Sequence, residues 1–187
     1  MTTELNPSLT STNSFSVGAD YTADYLVPVE RIRLMNFLSN PETFERYMPN
    51  VEAVRYEGKS DKGAALYQWI YLIPMPFASP LRLEIPTVYE KADFALYHRA
   101  RRIDLPNFMQ CELKFNLGKD ENETLVSMHL EIQLHRSSGF DIHPLAYVMG
   151  ERFISSQMRN QMEEIATTFL QKSVEAIYLA SSESSPS

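Results

Sequence analysis

The chain has 187 residues, of which 44% are hydrophobic and 22% are charged, a composition typical of one globular domain with a substantial core. Its net charge of −7 disfavours nucleic acid as a partner, because Lys and Arg are not in excess to displace phosphate counterions. The single cysteine, Cys111, excludes an internal disulfide and favours a reducing, cytoplasmic setting.

The two ends of the sequence differ from its middle. Residues 1–13 and 181–187 are rich in Ser, Thr and Pro and poor in apolar groups, so we predict disordered tails around one domain over 14–180. No apolar run is long enough to cross a bilayer, and the start of the chain lacks the basic and apolar regions of a secretion signal. We therefore expect neither a transmembrane segment nor secretion.

The first predicted element is a strand. In SFSVGADYTADYLV, the odd-numbered positions from Phe15 to Val27 are apolar or aromatic, whereas most even-numbered positions are polar. This alternation indicates a strand with one buried face, so the odd-numbered side chains should point inward.

Two short helices are predicted next. Pro28 suits the first position of a helix, with Glu30 in its first turn. Asn40 and Pro41 repeat the start signal, with Asn40 as the N-cap, and Pro49 ends the second helix.

Six further strands with short connections should form an antiparallel meander. They are predicted at about 51–59, 64–73, 80–91, 94–104, 108–117 and 124–135. A hairpin turn at KADF predicts Thr87 opposite His98, and a turn at DLPN predicts His98 opposite Leu113. The turn SDKG predicts Tyr56 opposite Tyr67 and Val54 opposite Trp69.

This pairing gives one inward face, which coincides with the apolar alternation of the last three strands. The inward set is Phe94, Leu96, His98, Ala100, Met109, Cys111, Leu113, Phe115, Leu117, Val126, Met128, Leu130, Ile132 and Leu134.

The final pattern, PLAYVMGERFISSQMRNQMEEIATTFLQKSVEAIYLA, predicts one amphipathic helix. Met158, Met162, Ile165 and Phe169 recur on one face. With about 35 residues the helix would be roughly 50 Å long, enough to cross the sheet.

The order of elements resembles the helix-grip fold of the START and polyketide-cyclase (SRPBCC) superfamily. The resemblance covers nearly all of residues 14–178, and its most recognisable segment is VPVERIRLMNFLSNPETFERYMPNVEAVRYEG. In bacterial members a helix pair leads there to an "lPgv" turn, which reads YMPNV here, with Asn50 where Gly is usual. The resemblance implies an α+β fold: a seven-stranded curved antiparallel sheet, two short helices after strand 1, and a long C-terminal helix over a cavity for an apolar molecule.

The predicted inner wall is rich in tyrosine and methionine. Tyrosine hydroxyls can bind a ligand's polar groups and methionine adapts to varied shapes, although each residue could simply fill a core. The predicted ligand-binding residues are Tyr21, Tyr25, Tyr67, Trp69, Tyr71, Thr87, His98, Arg102, Met128, Met158 and Met162.

His98 is the one histidine predicted in the middle of a strand on the inner face. It needs a hydrogen-bond partner, which a ligand, a water molecule or Thr87 could supply, and the alternative is a core histidine satisfied by the protein. Arg102 falls inward near a strand end, where it could bind an anionic head group or extend to solvent at the rim.

The segment PMPFASP, residues 74–80, is too rich in proline for a central strand. The resemblance places it over the cavity entrance, where hormone receptors of the superfamily have a gate. It does not match their gate motif, so a gate and a rigid rim both remain open. A transient contact with a membrane or a protein could also form at this rim.

Three classes of function remain open. The first is the binding or carrying of a hydrophobic small molecule, such as a lipid, isoprenoid, polyketide or pigment. The second is a cyclase or aromatase that uses His98 as acid or base beside tyrosine hydroxyls. The third is a protein-interaction module with a filled groove. The sequence has no glycine-rich phosphate loop, nucleophile elbow or metal-ligand set, so we expect a binder without cofactor or metal.

Overall fold

A computed structural model describes residues 14–74, 79–101 and 106–183. The strands are β1 (Phe15–Val27), β2 (Val51–Lys59), β3 (Ala65–Ile73), β4 (Leu81–Ala92), β5 (Ala95–Ala100), β6 (Asn107–Leu117) and β7 (Thr124–Arg136). The helices are α1 (Arg31–Leu38), α2 (Pro41–Tyr47), α3 (Ala146–Met149) and α4 (Glu151–Glu183), and a 3₁₀ turn spans Gly139–Asp141.

The strands form one antiparallel sheet in the order β1-β7-β6-β5-β4-β3-β2. Strands β2 to β7 are a meander, and β1 lies beside the last of them. Two short helices follow β1, and a long helix ends the described chain. The predicted fold class is therefore confirmed.

The long helix α4 runs along β1 in the same direction. The backbone N–H of Ser16 donates to Glu151 Oε1 over 2.7 Å, and that of Gly18 donates to Ser155 Oγ over 3.2 Å. These side chains satisfy donors that an edge strand would otherwise leave open. Farther along, Arg33 of α1 donates to the carbonyl oxygen of Ile177 over 2.7 Å, which ties the short helices to the end of α4.

The core lies between the inner face of the sheet and the helices. Phe44 of α2 is fully buried and packs against Trp69 of β3 and Phe169 of α4, with ring centroids 5.2 and 4.9 Å apart. Full burial of such a ring stabilises a fold by about 1.5–3 kcal/mol. The short helices thus close one end of the space between the sheet and α4.

Asn40 caps α2 as predicted, because its Oδ1 accepts a hydrogen bond from the Glu42 N–H over 3.1 Å. The predicted start of α1 at Pro28 is wrong. The N–H of Val29 bonds to the Val27 carbonyl oxygen, and Glu30 has the extended ψ of 136°. The helix begins only at Arg31, with Glu30 at its N-cap position.

The pairing across the β2–β3 turn is confirmed, with Tyr56 opposite Tyr67 and Val54 opposite Trp69. Tyr56 itself is 57% exposed, and it adjoins an irregularity in β2.

The predicted pairings of β5 with β4 and with β6 are each wrong by two residues. Thr87 lies opposite Ala100, and His98 lies between Tyr89 and Cys111. The β4–β5 turn consists of Asp93 and Phe94, one position later than predicted. A shift by two residues keeps every side chain on its face.

Two residues of the predicted inward set are largely exposed. Phe94 lies in the turn at 41% exposure, under the Arg31 guanidinium, whose carbon is 3.6 Å from the ring centroid. Leu117, the last residue of β6, is 61% exposed.

The sequence predicts one continuous helix from residue 144, and this prediction is wrong. Gly150 has φ of +76°, a left-handed conformation that favours glycine, and it separates α3 from α4. The 33 residues of α4 still span roughly 50 Å, and the helix continues to Glu183, beyond the predicted domain end at 180. None of the helices in the described ranges is long and apolar enough to cross a membrane.

Several predictions fall outside the described residues. They concern the tail 1–13, the middle of the Pro-rich segment at 75–78, the predicted strand end at 102–104 with Arg102, and residues 184–187.

Candidate functional site

A cavity of about 80 Å³ lies between the sheet and α4. Its wall is almost entirely apolar and is formed mainly by β3, β6, β7 and α4. The apolar and sulfur-containing side chains around it are Met48, Tyr71, Ile73, Met109, Cys111, Leu130, Ile132, Met158, Met162 and Ile165. Four methionines of the described ranges thus border one cavity.

Local sequence patterns bring these side chains together. Alternation along β6 and β7 directs Met109, Cys111 and Leu130 inward. The spacing of four residues on α4 puts Met158 and Met162 on the face that covers the sheet. Side-chain alternation in the strands and four-residue spacing on the helix therefore place these side chains around one cavity.

The turn from α2 to β2 completes the wall with Met48 and Asn50. Asn50 has φ of +66°, a left-handed conformation that asparagine tolerates better than most residues. Its carbonyl oxygen accepts a hydrogen bond from the Leu72 N–H over 2.8 Å, which fixes the turn to β3. Asparagine therefore fulfils the conformational role of the glycine that is usual here.

Tyr71 brings a polar group to this wall. Its hydroxyl donates to the Met109 sulfur over 2.8 Å, and its ring stacks on Trp69 with centroids 5.6 Å apart. Burial raises the pKa of Tyr71 well above its usual value, so the phenol keeps its proton. A thioether is a weak acceptor, so this donor is only weakly satisfied.

Cys111 also borders the cavity, where its thiol is buried. Burial raises the pKa of its thiol to about 12, so the reactive thiolate is not formed near neutral pH.

Beyond Tyr71 the interior is filled by a group that we call the aromatic cluster. Its members are Phe44, Tyr67, Trp69, Tyr89, His98 and Phe169. The His98 ring lies in its middle, with its centroid 4.8 Å from those of Trp69 and Tyr89 and 5.0 Å from that of Phe44.

His98 is 1% exposed, and neither of its ring nitrogens has a hydrogen-bond partner among the described residues. Thr87 does not supply one, because its hydroxyl donates to the Tyr67 carbonyl oxygen over 3.3 Å. Burial lowers the pKa of His98 to about 3, so the imidazole is neutral near pH 7. Within the described part of the chain, the indole nitrogen of Trp69 is also buried without a partner.

The predicted ligand-binding residues are thus divided between different places. Tyr71, Met158 and Met162 meet at the cavity. Tyr67, Trp69 and His98 belong to the aromatic cluster, and Thr87 and Met128 are fully buried away from the cavity wall.

Tyr21 and Tyr25 lie on β1 beneath α4. Their hydroxyls are 2.7 Å apart, and that of Tyr25 is 3.4 Å from Thr167 Oγ1. They therefore link β1 to α4 rather than border the cavity. Arg102 lies outside the described residues.

The ligand-binding prediction did not include Met48, Met109, Cys111 or Ile165, all of which border the cavity. For Met109 and Cys111 a signal was present, since both belong to the predicted inward face. Met48 gave no such signal, because its position depends on how the turn after α2 meets the sheet.

One group of metal-ligating side chains occurs within the described ranges: Asp20, His129 and Glu131, whose ligand atoms lie within 4.8 Å of one another. His129 Nε2 is 3.2 Å from Asp20 Oδ2, and the Asp20 side chain is 66% exposed. These residues alternate with the inward residues of β1 and β7, so they lie on the opposite face of the sheet from the cavity.

No protein-family model and no curated protein sequence matches the chain. Solved structures do resemble it. Human STARD10 has a TM-score of 0.62 at 11% identity, with 88% of this chain and 66% of that chain covered. A START superfamily protein from Mycobacterium smegmatis has a TM-score of 0.60 at 10% identity, with 84% and 98% covered.

The di-domain ARO/CYC protein StfQ from the steffimycin biosynthetic pathway has a TM-score of 0.62 at 9% identity. The match covers 89% of this chain and 52% of StfQ, so the chain spans about half the length of that protein. At such identities the likeness concerns the fold. The chain therefore has the helix-grip fold, which these START and ARO/CYC proteins also adopt.

Proposed function

We propose that the protein binds and carries a small hydrophobic molecule in the cavity beneath α4. The observation that supports this most directly is an almost entirely apolar cavity bordered by four methionines, beside an interior that is otherwise filled by aromatic rings. Pockets for small molecules are typically concave and apolar with few polar groups. The superfamily resemblance of the sequence supports the same function.

The cavity must widen to hold a ligand of ordinary size. At about 80 Å³ it is smaller than the roughly 300–1,000 Å³ of pockets that hold drug-sized ligands. Met48, Met109, Met158 and Met162 are unbranched and have several rotatable bonds, so the wall can widen without moving the backbone. We expect the ligand to displace methionine side chains as it enters.

Binding is better supported than cyclase or aromatase chemistry. His98 is a very weak base at a pKa of about 3, and the cavity wall does not include it. A general acid or base works best with a pKa near the operating pH and within hydrogen-bond reach of the substrate. An interaction module with a filled groove is less well supported, because it would leave no cavity beneath α4.

The Pro-rich segment is part of the same proposal. Ile73 borders the cavity and directly precedes residues 74–80. The segment is therefore well placed in sequence to border an entrance, as a gate or as a rigid rim.

The test is native mass spectrometry of the protein purified from its own source, followed by solvent extraction and identification of any bound molecule. We expect one apolar molecule per chain. Protein without a bound molecule, together with no uptake from a lipid and pigment extract, would contradict the proposal.

Two variants localise the binding. Ile165→Trp adds a large ring to the cavity wall and should abolish the bound mass. Glu164→Trp adds the same ring at an exposed position on the same turn of α4 and should retain it. Equal loss in both variants would place the binding site elsewhere.

A further inference from the structure

We infer that Tyr71 is the hydrogen-bond donor that selects the ligand, and that the ligand is an apolar molecule carrying a neutral oxygen acceptor such as a ketone. This inference rests on the proposed binding function and specifies the class of molecule bound.

Few polar side chains reach the cavity wall. Gln110 and Glu131 belong to its lining, but the Gln110 amide donates to Glu131 Oε2 over 2.9 Å, and Gln133 donates to the other Glu131 oxygen over 2.7 Å. These three side chains bond to one another on the outer face of the sheet. Asn50 and Gln161 are partly exposed, so water can satisfy them.

Tyr71 differs from these groups because its hydroxyl lies in an apolar wall and donates only to a sulfur atom. The Met109 thioether covers this hydroxyl at 2.8 Å, which explains why the wall is almost entirely apolar in spite of a tyrosine. A carbonyl oxygen is a much better acceptor than a thioether. A ligand that displaces Met109 and presents a carbonyl oxygen would therefore strengthen the hydrogen bond rather than break it.

Displacement of the Met109 side chain would have two effects that favour binding. Met109 is one of the four methionines that must move to enlarge the cavity. When it moves, it also uncovers the donor. An apolar ligand without an acceptor would leave the Tyr71 hydroxyl buried and unpaired, which is unfavourable.

The charge of the wall favours a neutral acceptor. Of the cavity-lining residues in the described ranges, none is Lys or Arg, and the carboxylate of Glu131 lies on the outer face of the sheet. A carboxylate or phosphate would lose its hydration without gaining a cation. The raised pKa of Tyr71 keeps the phenol protonated, so it remains a donor.

The Tyr71 hydroxyl is held in place. Its ring stacks on Trp69 at an interplanar angle of 18°, and in the sheet Tyr71 pairs with Val51 on one side and Leu83 on the other. A donor fixed by packing selects an acceptor at one position, which gives specificity as well as affinity.

The test compares two probes with the same carbon skeleton, 2-acetylnaphthalene and 2-ethylnaphthalene, which differ in the carbonyl oxygen, by isothermal titration calorimetry. The measured quantity is the ratio of their dissociation constants in the wild-type protein and in Tyr71→Phe, which removes only the hydroxyl. We expect the preference for the ketone to fall about five- to tenfold in Tyr71→Phe, because the ketone loses one buried hydrogen bond. The affinity for the ethyl compound should not decrease.

Two further variants sharpen the result. Tyr97→Phe makes the same change on the outer face of the sheet and should leave the ratio unchanged. Met109→Leu removes the competing sulfur acceptor and should increase the preference for the ketone. Urea unfolding of each variant checks that it is folded.

The outcomes separate this inference from the proposed function. If both probes bind and Tyr71→Phe leaves the ratio unchanged, the role of Tyr71 is wrong, whereas the binding function stands. If the wild-type protein binds neither probe nor any component of the extract, the proposed function fails and the inference fails with it.

Discussion

The two ends of the space beneath α4 are built from the same sheet and the same helix, yet one is filled and the other is hollow. At the filled end, Phe44 of α2 reaches between β3 and α4 and packs on Trp69, His98 and Phe169. At the hollow end, the chain leaves α2 through the turn at Asn50, and no ring from the short helices enters the space. Tyr71, stacked on Trp69, lies at the boundary between the two.

This difference shows that the type of side chain, rather than the fold, decides where the interior is left hollow. Rings that pack edge to face leave little room and resist movement. Methionines leave a small cavity that can expand. The filled end should therefore carry stability, and the hollow end should carry binding.

The largest expected effect comes from the filled end. Phe44→Ala should lower the free energy of unfolding by about 3–5 kcal/mol, because it removes a fully buried ring from the aromatic cluster. Met162→Leu, at the hollow end, should cost less than about 1.5 kcal/mol, because the volume is conserved and the site is not tightly packed. Urea unfolding with a constant m-value measures both. Similar losses in the free energy of unfolding for the two variants would contradict the claim that the filled end carries the stability.

The next effect is a dependence of stability on pH that arises from His98. Burial holds the pKa of His98 at about 3, whereas an unfolded histidine has a pKa near 6.5. Between these values the unfolded state binds a proton that the folded state excludes, so the free energy of unfolding decreases as pH falls. The loss is about 1.4 kcal/mol per pH unit, or about 2–3 kcal/mol between pH 6.5 and 4.5.

The control is His98→Phe, which fits the aromatic surroundings and does not titrate. Carboxylates contribute equally in both proteins, so the difference between their pH profiles isolates His98. If the two profiles are parallel between pH 6.5 and 4.5, His98 is accessible to protons in the folded state, and the filled end is not closed.

The smallest effect concerns the turn that opens the hollow end. Asn50→Ala should destabilise the fold by about 1 kcal/mol, because alanine is unfavourable at a φ of +66°. Asn50→Gly should have an effect of only a few tenths of a kcal/mol, since glycine adopts this conformation readily. Thermal unfolding of the two variants tests this, and equal stability of the Ala and Gly variants would show that the turn does not require the left-handed conformation.

The fold was predictable from the sequence because independent patterns agreed. Alternation in β6 and β7, the start signals around Asn40 and the helical spacing of Met158 and Met162 each indicate one element, and only one arrangement satisfies all of them. The pairing of β5 was not predictable to the residue, because KADF allows the two-residue turn at either of two positions. Alternation fixes the face of a strand but not its partner.

The candidate site was predictable only in part. Residues of the inner face were identified, but the division of that face into a filled end and a hollow end depends on where Phe44 and Met48 project from the short helices. Such positions are set by the three-dimensional path of the chain. A histidine on the inner face therefore pointed to a site, whereas the structure surrounds His98 with rings.

The most direct test of the account follows the methionine methyl groups by NMR, with ¹³C-labelled methionine and assignment by single substitutions, during titration with 2-acetylnaphthalene. The account predicts saturable shifts of the methyl signals of Met48, Met109, Met158 and Met162, with those of Met35 and Met128 unchanged. Shifts confined to Met35 and Met128, or no shift of any methionine at saturating probe, would contradict the claim that the methionine-lined cavity is the binding site.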